Sequence, residues 1–369
     1  MGCDKDNHLM PSGAASHHAH IHAIGTAVPD HDIHGPFIDW AQQRLTNPRE
    51  QALFRRMVSR AGIGHRWSVL PRSPDGGSPV DAGGFYHGDT APSTARRMEL
   101  YAAAAPDLAI AAIRDLERQV SIAGVTHLVL ASCTGFVAPG VDQIVIRKLG
   151  LDPHIERTLV GFMGCYAAVA AMRVAHHIAR SEPAARVLVV CVELSSLHLG
   201  ACGTMEELLA ALLFGDGAAA ALVSSAQSGF RIDRLFTAAL PDSDALIQWN
   251  IGDTGFEMVL SGEVPGRINS ALHDPALRHE ILGDQAPDAL EYAIHAGGRS
   301  ILDAVEHGLG LDPAALADSR AVLAANGNMS SATLLFVLAR LMAKQGQPHG
   351  VAMAFGPGLA AEGFAFSRA

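Results

Sequence analysis

Charge is scarce in this chain. Asp, Glu, Lys and Arg make up 17% of its 369 residues, and their balance is −10. That sign argues against a nucleic-acid binder, which gains affinity by neutralising phosphates with Lys and Arg. Long apolar runs are also missing, for nothing approaches the roughly 20 residues that cross a bilayer. Cysteines number five, an odd count at irregular spacing, which argues against a disulfide framework and for a reducing compartment. Aromatic residues are sparse as well, at 5%. The opening Met1-Gly2-Cys3-Asp4-Lys5-Asp6 has no charged-then-apolar signal pattern and no hydroxyl at its sixth position for myristoylation. A cytoplasmic protein with no membrane span is the expectation. At 49% hydrophobic residues, the chain can build a large core, in one large domain or two ordinary ones.

What is present centres on Gly161-Phe162-Met163-Gly164-Cys165-Tyr166-Ala167-Ala168-Val169-Ala170. Arg157 to Val160 reads as a short strand, and Ala167 to Ile178 as a helix with Met172, Val174 and Ile178 on its buried face. Cys165 therefore sits at a strand-to-helix turn, where Gly161 and Gly164 permit a tight bend. Unpaired N–H groups and the helix dipole there favour a thiolate and could hold an oxyanion. A buried structural cysteine is the alternative, and the stretch alone leaves both open.

Residues 1–18 are small and polar, and a disordered tail is expected. His17, His18, His20 and His22 resemble a metal cluster, but a strand beginning near Ala19 would place His20 and His22 together on a solvated edge. A strand over Ile21–Val28 and a helical region over Phe37–Ala61 follow, the latter bearing Arg55, Arg56 and Arg60, with Arg66 just beyond. Such a cluster is a solvated face or, in an acidic chain, a landing site for an anion. Residues 70–92, rich in Pro, Gly and Ser, read as a surface loop, and Ser93–Gln119 as a helix bent at Pro106. His127–Ser132 and Arg186–Val192 are near-continuous apolar strands of the kind buried on both faces. In the second half, strands are expected at Phe230–Ala238 and Leu246–Ile251, a helix over Val264–Leu282, and a final hairpin over Gly350–Phe366. Alternating strands and helices predict a layered α/β fold with mixed sheets. No period of about 20–50 residues marks a solenoid.

Two further stretches repeat the setting of Cys165. Leu290–Ile294 predicts a strand ending at His295, and Ala321–Ala324 a strand leading to Asn328. Ligand chemistry in α/β sheets collects at such carboxyl ends. Cys, His and Asn in this order also occur in papain-like peptidases, but their Cys-Gly-Ser-Cys-Trp-type signature is absent. Condensation chemistry uses the trio differently: His and Asn both donate to a thioester carbonyl and stabilise the enolate left by decarboxylation.

Several motifs sharpen this. They are Gly161-Phe162-Met163-Gly164-Cys165, Val189-Val190-Cys191-Val192-Glu193, Leu213-Phe214-Gly215-Asp216-Gly217, His295-Ala296-Gly297-Gly298, Gly327-Asn328-Met329-Ser330-Ser331 and Phe355-Gly356-Pro357-Gly358. With them the chain resembles type III polyketide synthases, the chalcone and stilbene synthase-like enzymes of the thiolase superfamily, from about Ile24 to Phe364. The resemblance implies a five-layer αβαβα fold of two pseudo-duplicated halves, here 19–226 with the Cys and 227–369 with the His and Asn, and a homodimer. It implies an acyltransferase whose substrates are an acyl-CoA starter and malonyl-CoA, with no metal and no further cofactor. Cys165 would carry the starter, and His295 would hold its thiolate and, with Asn328, promote decarboxylation. Phe214 and Phe256 match gatekeepers. Cys133, Thr134, Ser195, His198, Ser330, Gly356 and Pro357 match the cavity, with Cys133 as a soft wall. Arg56 and Arg60 match coenzyme A contacts, but the first residue of that basic trio is Leu53.

Ala296 and Ala354 are further departures from the family pattern, and neither touches the trio. Ketoacyl-ACP synthases III, which place Gln-Ala-Asn after the His, are the nearest alternative; HMG-CoA synthases need a catalytic Glu besides. A thiolase-like scaffold without chemistry is the non-enzyme alternative, and the intact trio speaks against it. Glu193-Leu194-Ser195-Ser196-Leu197-His198-Leu199 resembles the bacterial alkylpyrone and alkylresorcinol-forming branch, with small Ser195 and Ala138 leaving room for an elongated tunnel and His198 partly offsetting it. Long aliphatic starters are therefore expected, with aromatic or malonyl starters as the alternative.

Overall fold

The computed structural model describes residues 17–88, 90–200 and 202–369. The expected tail, residues 1–18, lies outside the described residues except for His17 and His18. The first half opens with β1 (Ala19–Ala27). A small pair, β2 (His31–Asp32) and β3 (Trp67–Ser68), then brackets α1 (His34–Arg44) and α2 (Pro48–Ala61). Next come α3 (Thr94–Glu117), β4 (His127–Ser132), α4 (Val141–Leu149), β5 (Glu156–Gly161), α5 (Ala167–Ser181), β6 (Arg186–Leu194), α6 (Met205–Ala211) and β7 (Asp216–Ser224). The second half holds β8 (Phe230–Ala239), the hairpin β9 (Ile247–Gly252) and β10 (Gly255–Leu260), α7 (Val264–Ala271) and α8 (Pro275–Leu282). It closes with β11 (Leu290–Ile294), α9 (Arg299–Leu309), α10 (Ala317–Asn326), α11 (Ala332–Met342), β12 (His349–Gly356) and β13 (Ala360–Arg368).

The main sheet runs β11-β12-β13-β8-β1-β7-β6-β4-β5. It is mixed: β4 lies parallel to β5 and β6, and β11 to β12, while the other pairs are antiparallel. Its middle is a short seam, because β1 and β8 pair only over Ala19–Ile21 and Phe230–Ile232. Each half-sheet is thus covered separately. Helices α5 and α11 fill the space between the two. Helices α3 and α4 cover the outer face of the first, and α7 and α9 that of the second. These are the five layers, αβαβα, that the resemblance implied.

Burial on both faces explains the unbroken apolar strands. Along β6, Val187, Val189 and Cys191 face α5 and α11, and Leu188, Val190 and Val192 face α3. Close helix approach explains the alanine run of β7. Beside it on β1, a Cβ at Gly25 would stand 2.1 Å from the Leu116 backbone nitrogen of α3. Only glycine fits there.

Four expectations need correction. The helical region over Phe37–Ala61 is two helices, since Asn47 caps α2 and Pro48 starts it. Val264–Leu282 is likewise split, at Asp274-Pro275. His20 and His22 are not on a solvated edge, because β1 is central: His20 is buried, and His22 Nε2 pairs with Ser224 Oγ at 2.7 Å. Ala321–Ala324 is not a strand but the last turns of α10, as its alanines prefer.

Burial also sets a pH response. His176 on α5 is held down at about 4 by desolvation and by neighbouring Arg180. The folded value lies below the ordinary 6.5, so the unfolded chain takes up the proton first. Its contribution is intact above pH 6.5 and declines as pH falls toward 4. Urea midpoints of wild type and His176→Gln should therefore differ by a constant above pH 7 and shift in favour of the variant below 6.5. A pH-independent difference would contradict this.

Candidate active site

The turn after β5 is built for close contact. Phe162 and Gly164 both take left-handed backbone, at φ 57° and 75°, before one tight turn and α5. A Cβ at Gly164 would stand 2.3 Å from Pro357 Cδ, and one at Gly356 would stand 2.5 Å from Tyr166 Cδ1. The loop between β12 and β13 thus presses directly on the turn carrying Cys165. Tyr166 Oη donates to Pro357 O at 3.0 Å and locks the two.

Asn328 reaches the same point from α10. Its backbone N–H donates to Leu213 O at 2.8 Å, and its carbonyl accepts from Gly215 N–H at 3.0 Å, so it bridges Phe214 like a strand residue. Its Oδ1 accepts from Ser330 N–H at 2.8 Å, which turns Nδ2 outward. That Nδ2 lies 4.0 Å from Cys165 Sγ and donates to Gly297 O at 3.2 Å. Gly297 is two residues past His295, whose N–H donates to Met353 O on β12. His295 is enclosed, and neither of its ring nitrogens has a partner.

Desolvation dominates here. It pushes the Cys165 thiol up to about 11, although Ser330 and Asn328 pull it back by hydrogen bonding. It lowers His295 to about 3. At Cys165 burial thus outweighs the pull of the helix terminus. No hydrogen bond joins His295 to Cys165 in this resting geometry, and such contacts commonly tighten only around a substrate.

Behind the turn, Cys133 does not face the cavity. Its Sγ accepts from Gly164 N–H at 2.9 Å, pinning the Cys165 turn from below. Thr134 also points inward, donating to Glu193 Oε2 at 2.9 Å. Glu193 accepts further bonds from Cys133 N–H and Ser331 Oγ, and burial raises its carboxyl to about 7. The sequence signal for it was a lone acid in an apolar strand.

A cavity of ≈ 420 Å3 opens between α1, α6 and the β9–β10 hairpin. Ser195, His198, Phe214 and Phe256 line it, together with Phe37, Leu70 and Met258. Cys165, His295 and Asn328 do not line it, nor do Cys133, Thr134, Ser330, Gly356 and Pro357, and Ala138 is exposed outside it. His198 is fixed as a neutral ring: Nε2–H donates to Thr134 O at 2.7 Å, and Nδ1 accepts from Phe256 N–H at 3.0 Å. Burial lowers it to about 4, and it stacks on Phe256 at 4.1 Å. Trp249, which the sequence did not single out, donates to Cys133 O at 2.8 Å and meets Phe256 edge-on. An open groove of ≈ 770 Å3 also exists, but at the opposite end of β4, around Val125 and Thr126.

Arg56 and Arg60 are exposed on α2. Arg66 is not part of that face. It is buried, donating to Ala211 O and Phe214 O at 2.7 and 3.0 Å, and so braces the Phe214 segment from behind.

One consequence is measurable. If His295 supplies the base that Cys165 needs, iodoacetamide should alkylate Cys165 at pH 7 about tenfold or more slowly in His295→Ala than in wild type. Equal rates would contradict it.

The family model described as "Chalcone and stilbene synthases, N-terminal domain" matches residues 7–227, and its C-terminal counterpart matches 233–368. The chain is 36% identical over 298 residues to the alpha-pyrone synthesis polyketide synthase-like Pks18 of Mycobacterium tuberculosis, covering 74% of each. It is 33% identical over 372 positions to bisdemethoxycurcumin synthase of Oryza sativa, covering 92% of this chain and 90% of the relative. The type III polyketide synthase domain of Steely1 from Dictyostelium superposes with a TM-score of 0.86 at 26% identity, covering 95% of this chain and 99% of that one. The chain belongs to the chalcone and stilbene synthase family and is a type III polyketide synthase.

Proposed function

We propose that the protein loads a long aliphatic acyl group from coenzyme A onto Cys165, extends it with malonyl-CoA and cyclises it to an alkylpyrone or alkylresorcinol. The observation that carries the chemistry is the Asn328 amide, oriented by Ser330 toward Cys165 Sγ. In loading, the Cys165 sulfur takes the acyl carbon, the coenzyme A thiol leaves, and His295 moves the proton from the first sulfur to the second. Malonyl-CoA then loses carbon dioxide. The enolate oxygen accepts hydrogen bonds from Asn328 Nδ2 and His295; its carbon bonds to the acyl carbon on Cys165 as the acyl carbon–sulfur bond breaks and Cys165 leaves as the thiolate, with the extended chain on coenzyme A. Both donors are neutral and water-poor, which strengthens them toward a developing charge. No metal or further cofactor takes part in this scheme.

The starter assignment rests on the cavity. Phe37, Leu70, Val80 and Met258 give it apolar surface, and each methylene buried there gains about 0.8 kcal/mol. The relative named for alpha-pyrone synthesis supports the same product class. A second reading, an aromatic starter, draws on the rings gathered at the site: Phe136, Phe162, Phe256, His198 and Trp249 form one cluster. The relative named for bisdemethoxycurcumin leans the same way. A homodimer would use the apolar edge at Phe136 and Leu159, 41% and 55% exposed. Arg56 and Arg60 would contact coenzyme A phosphates.

Two experiments test this. Asn328→Ala should still be acylated at Cys165 but decarboxylate malonyl-CoA about 10²–10³-fold more slowly; undiminished decarboxylation would remove Asn328 from the mechanism. In direct competition with labelled malonyl-CoA, a long-chain acyl-CoA should supply most of the product seen by mass spectrometry. Dominance of a cinnamoyl-type or malonyl-only product would select the second reading.

A further inference from the structure

Helix α2 turns an uncommon face outward. Its inner side, led by Phe54, packs with α1 and α6. On the outer side Arg49, Leu53, Arg56, Met57 and Arg60 recur at spacings of three and four, a stripe about 16 Å long. All five are exposed, Leu53 at 47% and Met57 at 40%. Arg55 stands beside them, and Glu50 is the only acidic residue on the helix. Several exposed arginines elsewhere pair with acids, as Arg96 does with Glu99 and Arg114 with Glu117. Among the described residues, Arg49, Arg55, Arg56 and Arg60 form no ion pair. In a chain of net charge −10, this concentration of free positive charge stands out.

The stripe ends beside the active site. Arg299, at the start of α9 just past the His295 turn, donates to Arg60 O at 3.4 Å. Beyond Arg60, Gly64 N–H donates to Ala324 O at 2.8 Å, four residues before Asn328. A coenzyme A nucleotide would occupy Arg56 and Arg60. It leaves Arg49 unaccounted for at the far end of the stripe. Cations flanking two apolar side chains match instead an acidic amphipathic helix, which would pair its carboxylates with the arginines and bury its apolar residues on Leu53 and Met57.

We propose that this face of α2 docks an acidic carrier protein whose phosphopantetheine arm delivers an acyl thioester to Cys165. The proposal rests on the acyl-transfer reading given above. The Cys165 sulfur forms a bond to the acyl carbon as the bond from that carbon to the pantetheine sulfur breaks. The Cys165 proton passes through His295 to the departing pantetheine thiol, so the exchange balances without an oxidant or reductant.

The test compares two donors of one acyl group, dodecanoyl-CoA and dodecanoyl thioester on a purified acyl carrier protein of bacterial fatty acid synthesis. Acylation of Cys165 is followed by intact mass for wild type, Arg49→Glu and Arg49→Ala, each with an unchanged melting temperature. The carrier-borne group should transfer with a kcat/KM about tenfold or more above that of coenzyme A, and added salt should narrow the gap. Both variants should lower carrier-borne transfer about tenfold while leaving the coenzyme A value within about twofold. Transfer from coenzyme A alone, or variants that slow both donors equally, would overturn the docking proposal. So would α2-dependent binding to phosphatidylglycerol vesicles with carrier-borne transfer unaffected by the variants. Failure of both donors to acylate Cys165 would bring down the acyl-transfer reading with it.

Discussion

One contact constrains the rest of the structure: Gly164 against Pro357. The first half of the chain supplies the turn that carries Cys165, and the second supplies the loop that Pro357 tops. They meet so closely that no Cβ fits between them. The meeting recurs at Phe214 and Asn328, where backbone from the two halves pairs like adjacent strands. Positions that matter to within an ångström are thereby set by backbone, not by flexible side chains. Cys133 holds the Cys165 turn from below through the Gly164 N–H, and Arg66 braces the Phe214 segment from behind.

The second constraint is dryness. Burial, with Glu193 nearby, raises Cys165, and burial alone lowers His295, so both are held toward their neutral forms. The same desolvation brings Glu193 to about 7 and Asp216 to about 6. Hydrogen bonds offset these costs at Glu193 and Asp216, but the His295 ring has none. An unpartnered, enclosed imidazole is costly in a folded protein.

Much of this was legible in the residues. Strands buried on both faces announced themselves, because Arg186–Val192 and His127–Ser132 have no polar side to show. The turn at Cys165 was legible from its glycines, and the approach of Asn328 to it from the Asn328 motif. Asn328 was given the wrong neighbour, since short alanine-rich runs read equally as strand or helix and only α10's packing decides. The histidines of β1 misled for a related reason: alternation looks the same on an edge strand and on a central one whose polar partners, such as Ser224, come from far along the chain. The low aromatic content was a poor guide to the site, as four rings of that sparse set converge there with His198. Cys133 and Thr134 were identified by position, but their side chains point behind the cavity wall, which depends on Glu193 and Gly164.

The account stands or falls on where the acyl group goes. Incubating the protein with a long-chain acyl-CoA and no malonyl-CoA, then digesting and mapping the adduct by mass spectrometry, answers this directly. A single acylated residue, Cys165, is the predicted result. Acyl mass on Cys133 or Cys202 with Cys165 unmodified would contradict it.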